Sequence, residues 1–433
     1  MPSATRRADW LLLGAVVALL ILGALMVYSA SFVVAHNEFH DDLYFLTRQV
    51  LWIVVGALCM GLVARSDYHR WRRFSTLALG VCLVTLVLVM VPGLGVTSYG
   101  AQRWLQLGPL PPVQPSEFAK LALVLYMSDW LAQKGKQVGE FAYGAIPFVI
   151  VLGIVAGLVM LEPDLGTTII IMATAISLFF IAGANLLHFL LGLVLASLGA
   201  LWFVVTASYR MDRITAFLDP WRDQQGAGWH TIQTLIALGS GGLTGLGLGA
   251  SRQKFYYVPN AHTDTIFAII GEEIGFVGTL LVLLLFAVFA WRGLLAASRA
   301  PDTYGRLLAT GATCMIVWQA LVNIAVVTNT APYTGVTLPF VSFGGSSIVV
   351  SLVATGLIIS VSRGKPAAEP VLRATPEPAR LEGVLLLARG APRGAPRIRP
   401  LLVGRSLAAA RAPGAPAARR ARRASVGRRS WRG

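Results

Sequence analysis

The chain has 433 residues, of which 56% are hydrophobic and only 13% charged. A soluble domain carries about twice that charge density, so a water-soluble enzyme is excluded and the composition describes a chain solvated by lipid. The net charge of +16 is concentrated at one end: from Arg363 onward 17 Lys and Arg stand against three Glu, while the preceding 362 residues hold 19 basic and 17 acidic groups. Nucleic-acid binding is therefore not a property of the main body.

Crossing the hydrocarbon core takes about 20 apolar residues in a helix that satisfies its own backbone. Trp10–Ala35 is uncharged over 26 residues, too long for the apolar segment of a signal peptide. Gln49–Ala64 and Phe74–Val91 follow. Gln114–Leu131 reads as a helix starting at Pro115, and it is unusual in carrying Glu117, Lys120 and Asp129. Phe141–Leu161 is next. Leu165–Tyr209 holds 45 residues without Asp, Glu, Lys or Arg, enough for two spans turning at Gly183-Ala184-Asn185. Beyond the long segment Arg210–Asp264 comes Ile274–Ala290, extended outward by Thr265–Gly271. Leu307–Ser362 is uncharged for 56 residues and folds back around Pro332-Tyr333-Thr334-Gly335, Pro339 and Gly344-Gly345. Cys59, Cys82 and Cys314 lie in apolar runs with no metal spacing and read as small core residues.

Short basic loops orient these spans. Arg6-Arg7, Arg65 with Arg70, Arg72 and Arg73, Lys134 with Lys136, Arg292 with Arg299 and Arg306, and Arg363 with Lys365 fall on one side; His36–Asp42, with three acids and no Lys or Arg, falls on the other. The expectation is an all-α polytopic membrane protein of ten transmembrane helices with both termini cytoplasmic. Residues 1–9 form the cytoplasmic N-terminus and 10–362 the membrane domain. Within it, 210–264 is one large external loop before helix 8. Residues 363–433 form a basic Ala/Pro/Arg-rich tail with little means of building a core.

Ionisable residues at membrane depth are costly and face a cavity or a partner. Glu117 and Lys120 are three apart on one helix face, positioned either for function or as a mutual ion pair. The external segment brings Arg213, then Trp229-His230, then six glycines within Gly239–Gly249, followed by Arg252 and Lys254. Glycines let backbone N–H groups approach an anion and the bases supply charge, although a re-entrant connector explains the run equally well. Asp264 stands just before a helix, as a helix cap or as a reactive carboxylate, with His262 two residues away as a proton partner or a surface histidine. Glu272-Glu273 lies two turns further on, one of the two placed to pair with a base such as Lys120. Glu162-Pro163-Asp164 reads first as cap chemistry.

In combination these residues resemble the family of shape, elongation, division and sporulation proteins typified by FtsW and RodA, from about Leu11 to Ser362. The blocks that carry the likeness are Gln102-Arg103-Trp104 with Gln114-Pro115-Ser116-Glu117-Phe118-Ala119-Lys120, Glu162 to Thr167, Arg213 with Phe217 to Trp221, Gly239 to Gly242, His262-Thr263-Asp264 with Gly271 to Glu273, and Thr337 to Ser342 with Gly344 to Ser347. Asp219-Pro220-Trp221, Lys254 and Thr337-Leu338-Pro339 resemble the division branch. Asn260 stands where the family usually has Glu, Thr265 where it has Phe, and His230 where division members tend to have Gln. Asp264 keeps the family position.

The resemblance implies a peptidoglycan glycosyltransferase of the plasma membrane at the division septum. It would polymerise lipid II with a class B penicillin-binding protein among other divisome proteins. Asp264 is then the expected catalytic carboxylate, and Glu117, Lys120, Arg213, Arg252, Lys254 and His262 the expected substrate-binding residues. No dense acidic cluster suggests a dedicated metal cage, so the cofactor expectation is none, or at most Mg or Mn shared with the substrate pyrophosphate. The competing readings are a lipid II flippase, favoured by intramembrane charge and broken helices, and a septal scaffold without catalysis.

Overall fold

The computed structural model describes residues 9–364, apart from 99–100, 107–110, 227 and most of 186–207. The chain divides into two units, Met1–Glu369 and Pro370–Gly433, and the architecture below is that of the first. The basic tail and most of the second span expected in Leu165–Tyr209 lie outside the described residues.

The described chain is mainly helical. In order it forms α1 (Trp10–Phe39), α2 (Tyr44–Arg65), the short α3 (Tyr68–Arg72), α4 (Ser75–Val89), a hairpin of β1 (Gly95–Ser98) and β2 (Ala101–Leu105), and α5 (Pro115–Lys134). Then come α6 (Ile146–Leu161), α7 (Leu165–Ile181), α8 (Ser208–Leu218), α9 (Trp229–Ser240), α10 (Ile266–Ser298), α11 (Thr303–Val327) and α12 (Gly345–Ser362). Among the described residues, six helical stretches are long and apolar enough to cross a membrane: α1, α2, Phe141–Leu161, α10, α11 and α12. Helices α4 and α7 are apolar but shorter.

Local chemistry sets the boundaries. Asp9, Asp164 and Asp302 each cap a helix by accepting a backbone N–H, from Leu12 at 3.2 Å, Thr167 at 3.0 Å and Gly305 at 2.9 Å. Pro115 begins α5 as expected, because its missing N–H costs nothing at a first helical turn. Gly183 adopts φ 95° two residues after α7, at the anticipated turn.

Helix α5 owes its charged residues to its position. It packs against α4, α7, α11 and α12, and most of its side chains between Pro115 and Leu131 are buried in protein. Its polar groups are thus shielded from lipid by neighbouring helices rather than by an apolar sequence. Helices α2 and α12 pack against each other along much of their length. A Cβ on Gly356 would come within 2.8 Å of the Met60 carbonyl oxygen, so a small residue there is what lets the two backbones approach.

The structure refines three expectations and corrects one. A short hairpin stands among the helices, with β1 and β2 pairing antiparallel, Gly95 opposite Leu105 and a register shift between Val96 and Thr97. Strands of four and five residues that include Thr97, Gln102 and Arg103 are passed over by a search for long apolar runs. Within the segment 210–264 the chain forms the end of α8 and all of α9. The glycine run is a backbone crossing. Helix α10 is broken at Gly275 (φ 76°), and the run lies against that break: Leu246 and Gly247 N–H donate to the Glu272 and Glu273 carbonyls at 2.9 and 3.0 Å. Phe276 N–H returns a bond to Gly242 O at 2.9 Å. A Cβ on Gly241 would sit 1.8 Å from Gly271 O, and one on Gly245 2.2 Å from Glu273 O, which only glycine avoids. Finally, neither Glu272 nor Glu273 pairs with Lys120. Glu273 binds Lys254 at 3.3 Å, and Lys120 binds Glu117.

Candidate active site

Asp264 ends the non-helical approach to α10, with 6% of its surface exposed. Thr265 is the N-cap of that helix and makes no side-chain cap bond. The Asp264 carboxylate is engaged elsewhere: Oδ1 accepts from the Thr263 hydroxyl at 2.9 Å and Oδ2 from the Tyr333 hydroxyl. Helix capping, the simplest explanation of an Asp at this point, is therefore not what the side chain does. Asn323 on α11 fixes the main chain here, donating from Nδ2 to the Asp264 and Val336 carbonyl oxygens at 2.7 Å each.

Around this carboxylate the fold gathers groups from three other segments. Arg213 on α8 donates to the Tyr333 carbonyl at 3.4 Å, with its guanidinium 5.6 Å from the Tyr333 ring centre. His230 on α9 meets the same ring edge-on at 4.1 Å. Burial first, then the Asp264 charge, holds the Tyr333 phenol well above its ordinary range, with Arg213 opposing. The phenol consequently keeps its proton and donates. Burial pushes His230 down despite the attraction of Asp264, so the imidazole is the neutral form.

A second polar group lies inside the bundle. Lys120 Nζ donates to Glu117 Oε1 at 2.8 Å and to Gln319 Oε1 at 2.6 Å, and both charged residues are buried. Gln319 Nε2 continues to the Thr337 carbonyl and the Ser347 hydroxyl, both at 3.0 Å. Gln319 and Asn323 are one turn apart on α11 and grip consecutive residues, Thr337 and Val336. The buried ion pair and the Asp264 backbone are thereby anchored to one short stretch of chain. Sequence reasoning missed Gln319, Asn323 and Tyr333. The available signal was two amides spaced i, i+4 in an otherwise apolar helix.

The other expected binding residues are placed differently. Lys254 is buried and spent on Glu273, the Gly249 carbonyl (2.7 Å) and the Ser29 hydroxyl (3.4 Å), so it ties the glycine crossing to α10 and α1. Arg252 has an exposed side chain, while its N–H donates to Glu272 Oε1 at 2.9 Å. The His262 ring packs 4.4 Å from Phe45 and 5.8 Å from Phe343, and burial pushes it down to about 4, leaving it neutral and wedged among aromatics. Of the expected set, then, Arg213 shares the immediate surroundings of Asp264, and Glu117 with Lys120 joins it through α11. Asp164 is a cap, as anticipated, but its neighbour Glu162 is not: both Glu162 oxygens are buried without a hydrogen-bond partner. Among the described residues no three His, Cys, Asp or Glu side chains gather where they could hold a metal ion.

The pattern of the FtsW, RodA and SpoVE family, described as cell cycle proteins, matches residues 9–366. The chain belongs to that family. Stage V sporulation protein E of Bacillus subtilis is 45% identical over 359 residues, spanning 82% of this chain and 97% of that protein. A probable peptidoglycan glycosyltransferase FtsW of Trichlorobacter lovleyi is 42% identical over 356 residues, spanning 82% and 93%. Among solved folds, a chain from a peptidoglycan synthase complex that couples polymerization and crosslinking superposes with a TM-score of 0.67 at 32% identity, covering 82% of this chain and 98% of that one. The rod shape determining protein RodA of Thermus thermophilus gives 0.61 at 28% identity, covering 82% and 97%. The FtsW, RodA and SpoVE fold thus extends over the whole described body.

Proposed function

We propose that this member of the FtsW, RodA and SpoVE family is a peptidoglycan glycosyltransferase that polymerises lipid II, with Asp264 as its catalytic base. Glycan extension requires a base for the attacking 4-hydroxyl of the acceptor sugar and positive charge for the departing pyrophosphate. In this reading Asp264 takes the hydroxyl proton as the oxygen bonds to the donor's anomeric carbon. The carbon–oxygen bond to pyrophosphate breaks, and the lipid pyrophosphate leaves with its electron pair. Arg213 offsets the charge that develops. The observation that carries the proposal is that the buried Asp264 carboxylate is not consumed by capping α10 and sits beside a cation and a protonated phenol.

The same reading places the protein in the plasma membrane at the division septum, with a class B penicillin-binding protein as partner. Ten crossings complete it. The six long helices are joined by α4, α7 and the charged but enclosed α5, and the tenth is the second span expected in Leu165–Tyr209, which lies mostly outside the described residues; both ends are cytoplasmic in this reading. The deciding experiment feeds labelled lipid II to the purified protein with its partner. Asp264→Asn and Asp264→Ala are both expected to be inserted, partner-bound and at least about 100-fold slower, since positioned proton transfer contributes about 10²–10⁴. An active Asn variant, or translocation of lipid II without polymer, would overturn the assignment.

A further inference from the structure

We propose that Tyr333 is a positioning residue for Asp264, and that His230 and Asn260 form the support that holds it. The inference rests on the assignment of Asp264 as the base. A carboxylate that must collect a proton from one sugar hydroxyl needs a fixed orientation, because a base acts only within hydrogen-bond reach. The Asp264 group has two hydroxyl donors, Thr263 on Oδ1 and Tyr333 on Oδ2. Thr263 is its chain neighbour and moves with it. Tyr333 comes from the connection between α11 and α12, so it is the donor that ties the carboxylate to a separate part of the bundle.

Tyr333 is itself held from several directions. Its ring meets His230 of α9 at 4.1 Å, and Arg213 of α8 lies over it and bonds its carbonyl. Asn260 acts on its hydroxyl, lowering the phenol against the effect of burial. Gly335, at φ 70°, follows two residues later, and a Cβ there would lie 3.7 Å from Asp264 Oδ2 and 3.9 Å from the Tyr333 hydroxyl. His230 and Asn260 thus converge on one phenol. Asn260 sits at φ 54°, the left-handed region that Asn tolerates better than most residues. Neither the amide nor the neutral imidazole adds negative charge beside the carboxylate. The titratable and charged groups around Asp264 are accordingly Tyr333, His230 and Arg213, with Thr263, Asn260 and Asn323 as neutral partners.

The test is Tyr333→Phe in the full chain with its partner, assayed on labelled lipid II from about pH 5 to 9. Phe keeps the ring against His230 and Arg213 and removes only the hydroxyl. Turnover is expected to fall roughly 10- to 100-fold, the scale of a lost hydrogen bond to a charged group, with KM for lipid II unchanged. The acidic limb of the rate profile should move to higher pH, because a carboxylate that loses a donor accepts a proton more readily. His230→Gln should give a smaller shift in the same direction, since it loosens the ring without removing the hydroxyl. Unchanged turnover and pH profile in Tyr333→Phe, with Asp264→Asn inactive, overturns this inference alone. A rate loss accompanied by lower thermal stability and an unmoved profile also overturns it, because that is a packing role. An active Asp264→Asn removes the underlying assignment instead.

Discussion

Lys120 and Glu117 form a buried pair in which each charge depends on the other. Their contact is 2.8 Å, with the lysine almost wholly buried, and Gln319 satisfies a second ammonium proton. Removing one member of such a pair strands the other charge at a cost of about 3–5 kcal/mol, whereas replacing both with apolar groups of similar volume is often close to neutral. Lys120→Ala should therefore lower the melting temperature and yield in detergent, and Glu117→Leu with Lys120→Met should recover much of the stability. Polymerisation separates the roles: a stable but inactive double variant assigns the pair to substrate, while a stable active one makes it structural. Glu162 offers a pH test. Burial, reinforced by Asp164 and opposed by Arg103, pushes its carboxyl up to about 8. A carboxyl raised on folding stabilises most below its unfolded value near 4.5 and loses that contribution as pH climbs toward 8. Glu162→Gln should thus match the parent melting temperature at pH 5 and exceed it at pH 8.5, by up to a few kcal/mol in stability. Equal melting curves at both pH values would place an unseen partner on the Glu162 oxygens.

At the scale of elements, the glycine crossing is the most brittle piece. Gly241→Ala would push a methyl to 1.8 Å from the Gly271 carbonyl, a clash between backbones that no rotamer relieves. Overpacking of this kind costs about 1–3 kcal/mol or more. The variant should be poorly folded, whereas Gly239→Ala, whose Cβ would meet nothing within 4 Å, should be recovered at normal yield. Thermal melting of the two purified proteins checks the contrast. The same region marks the boundary of what sequence reveals. Pro115, Asp164 and Gly183 act within a turn of themselves, so their roles as start, cap and turn are readable from neighbours alone. The glycine run is different: six glycines fit an anion cradle and a backbone crossing equally, and only the broken helix packed against them decides. Asp264 was readable as a candidate but not as a non-cap, because Tyr333 is 69 residues away in sequence. The surroundings of His262 and Lys254 are hidden for a related reason. Their residue types suit substrate, and their contacts with Phe45 and Glu273 emerge only in the fold.

At the scale of the whole molecule, charge asymmetry links topology to the tail. The body carries 19 basic and 17 acidic residues, near balance, while the segment from Arg363 onward carries 17 basic and three acidic. Orientation depends on bases within about 15–20 residues of a span rather than on distant ones. In the proposed topology Arg363 and Lys365, immediately after α12, would suffice to hold its end in the cytoplasm, leaving the remaining bases surplus to insertion. Truncation after Lys365 should leave membrane yield, external accessibility of tags at Asn37 and Gly226, and polymerisation with the partner unchanged. A tag at either position that is inaccessible in intact cells would refute the ten-helix orientation, whatever the tail does. If the truncated protein polymerises normally in vitro but fails to support septation, the tail is a recruitment segment, with its charge suited to anionic lipid at the cytoplasmic face. If insertion itself fails, the tail's bases contribute to orientation, and the short-loop argument from Arg65 to Arg306 must be abandoned with it.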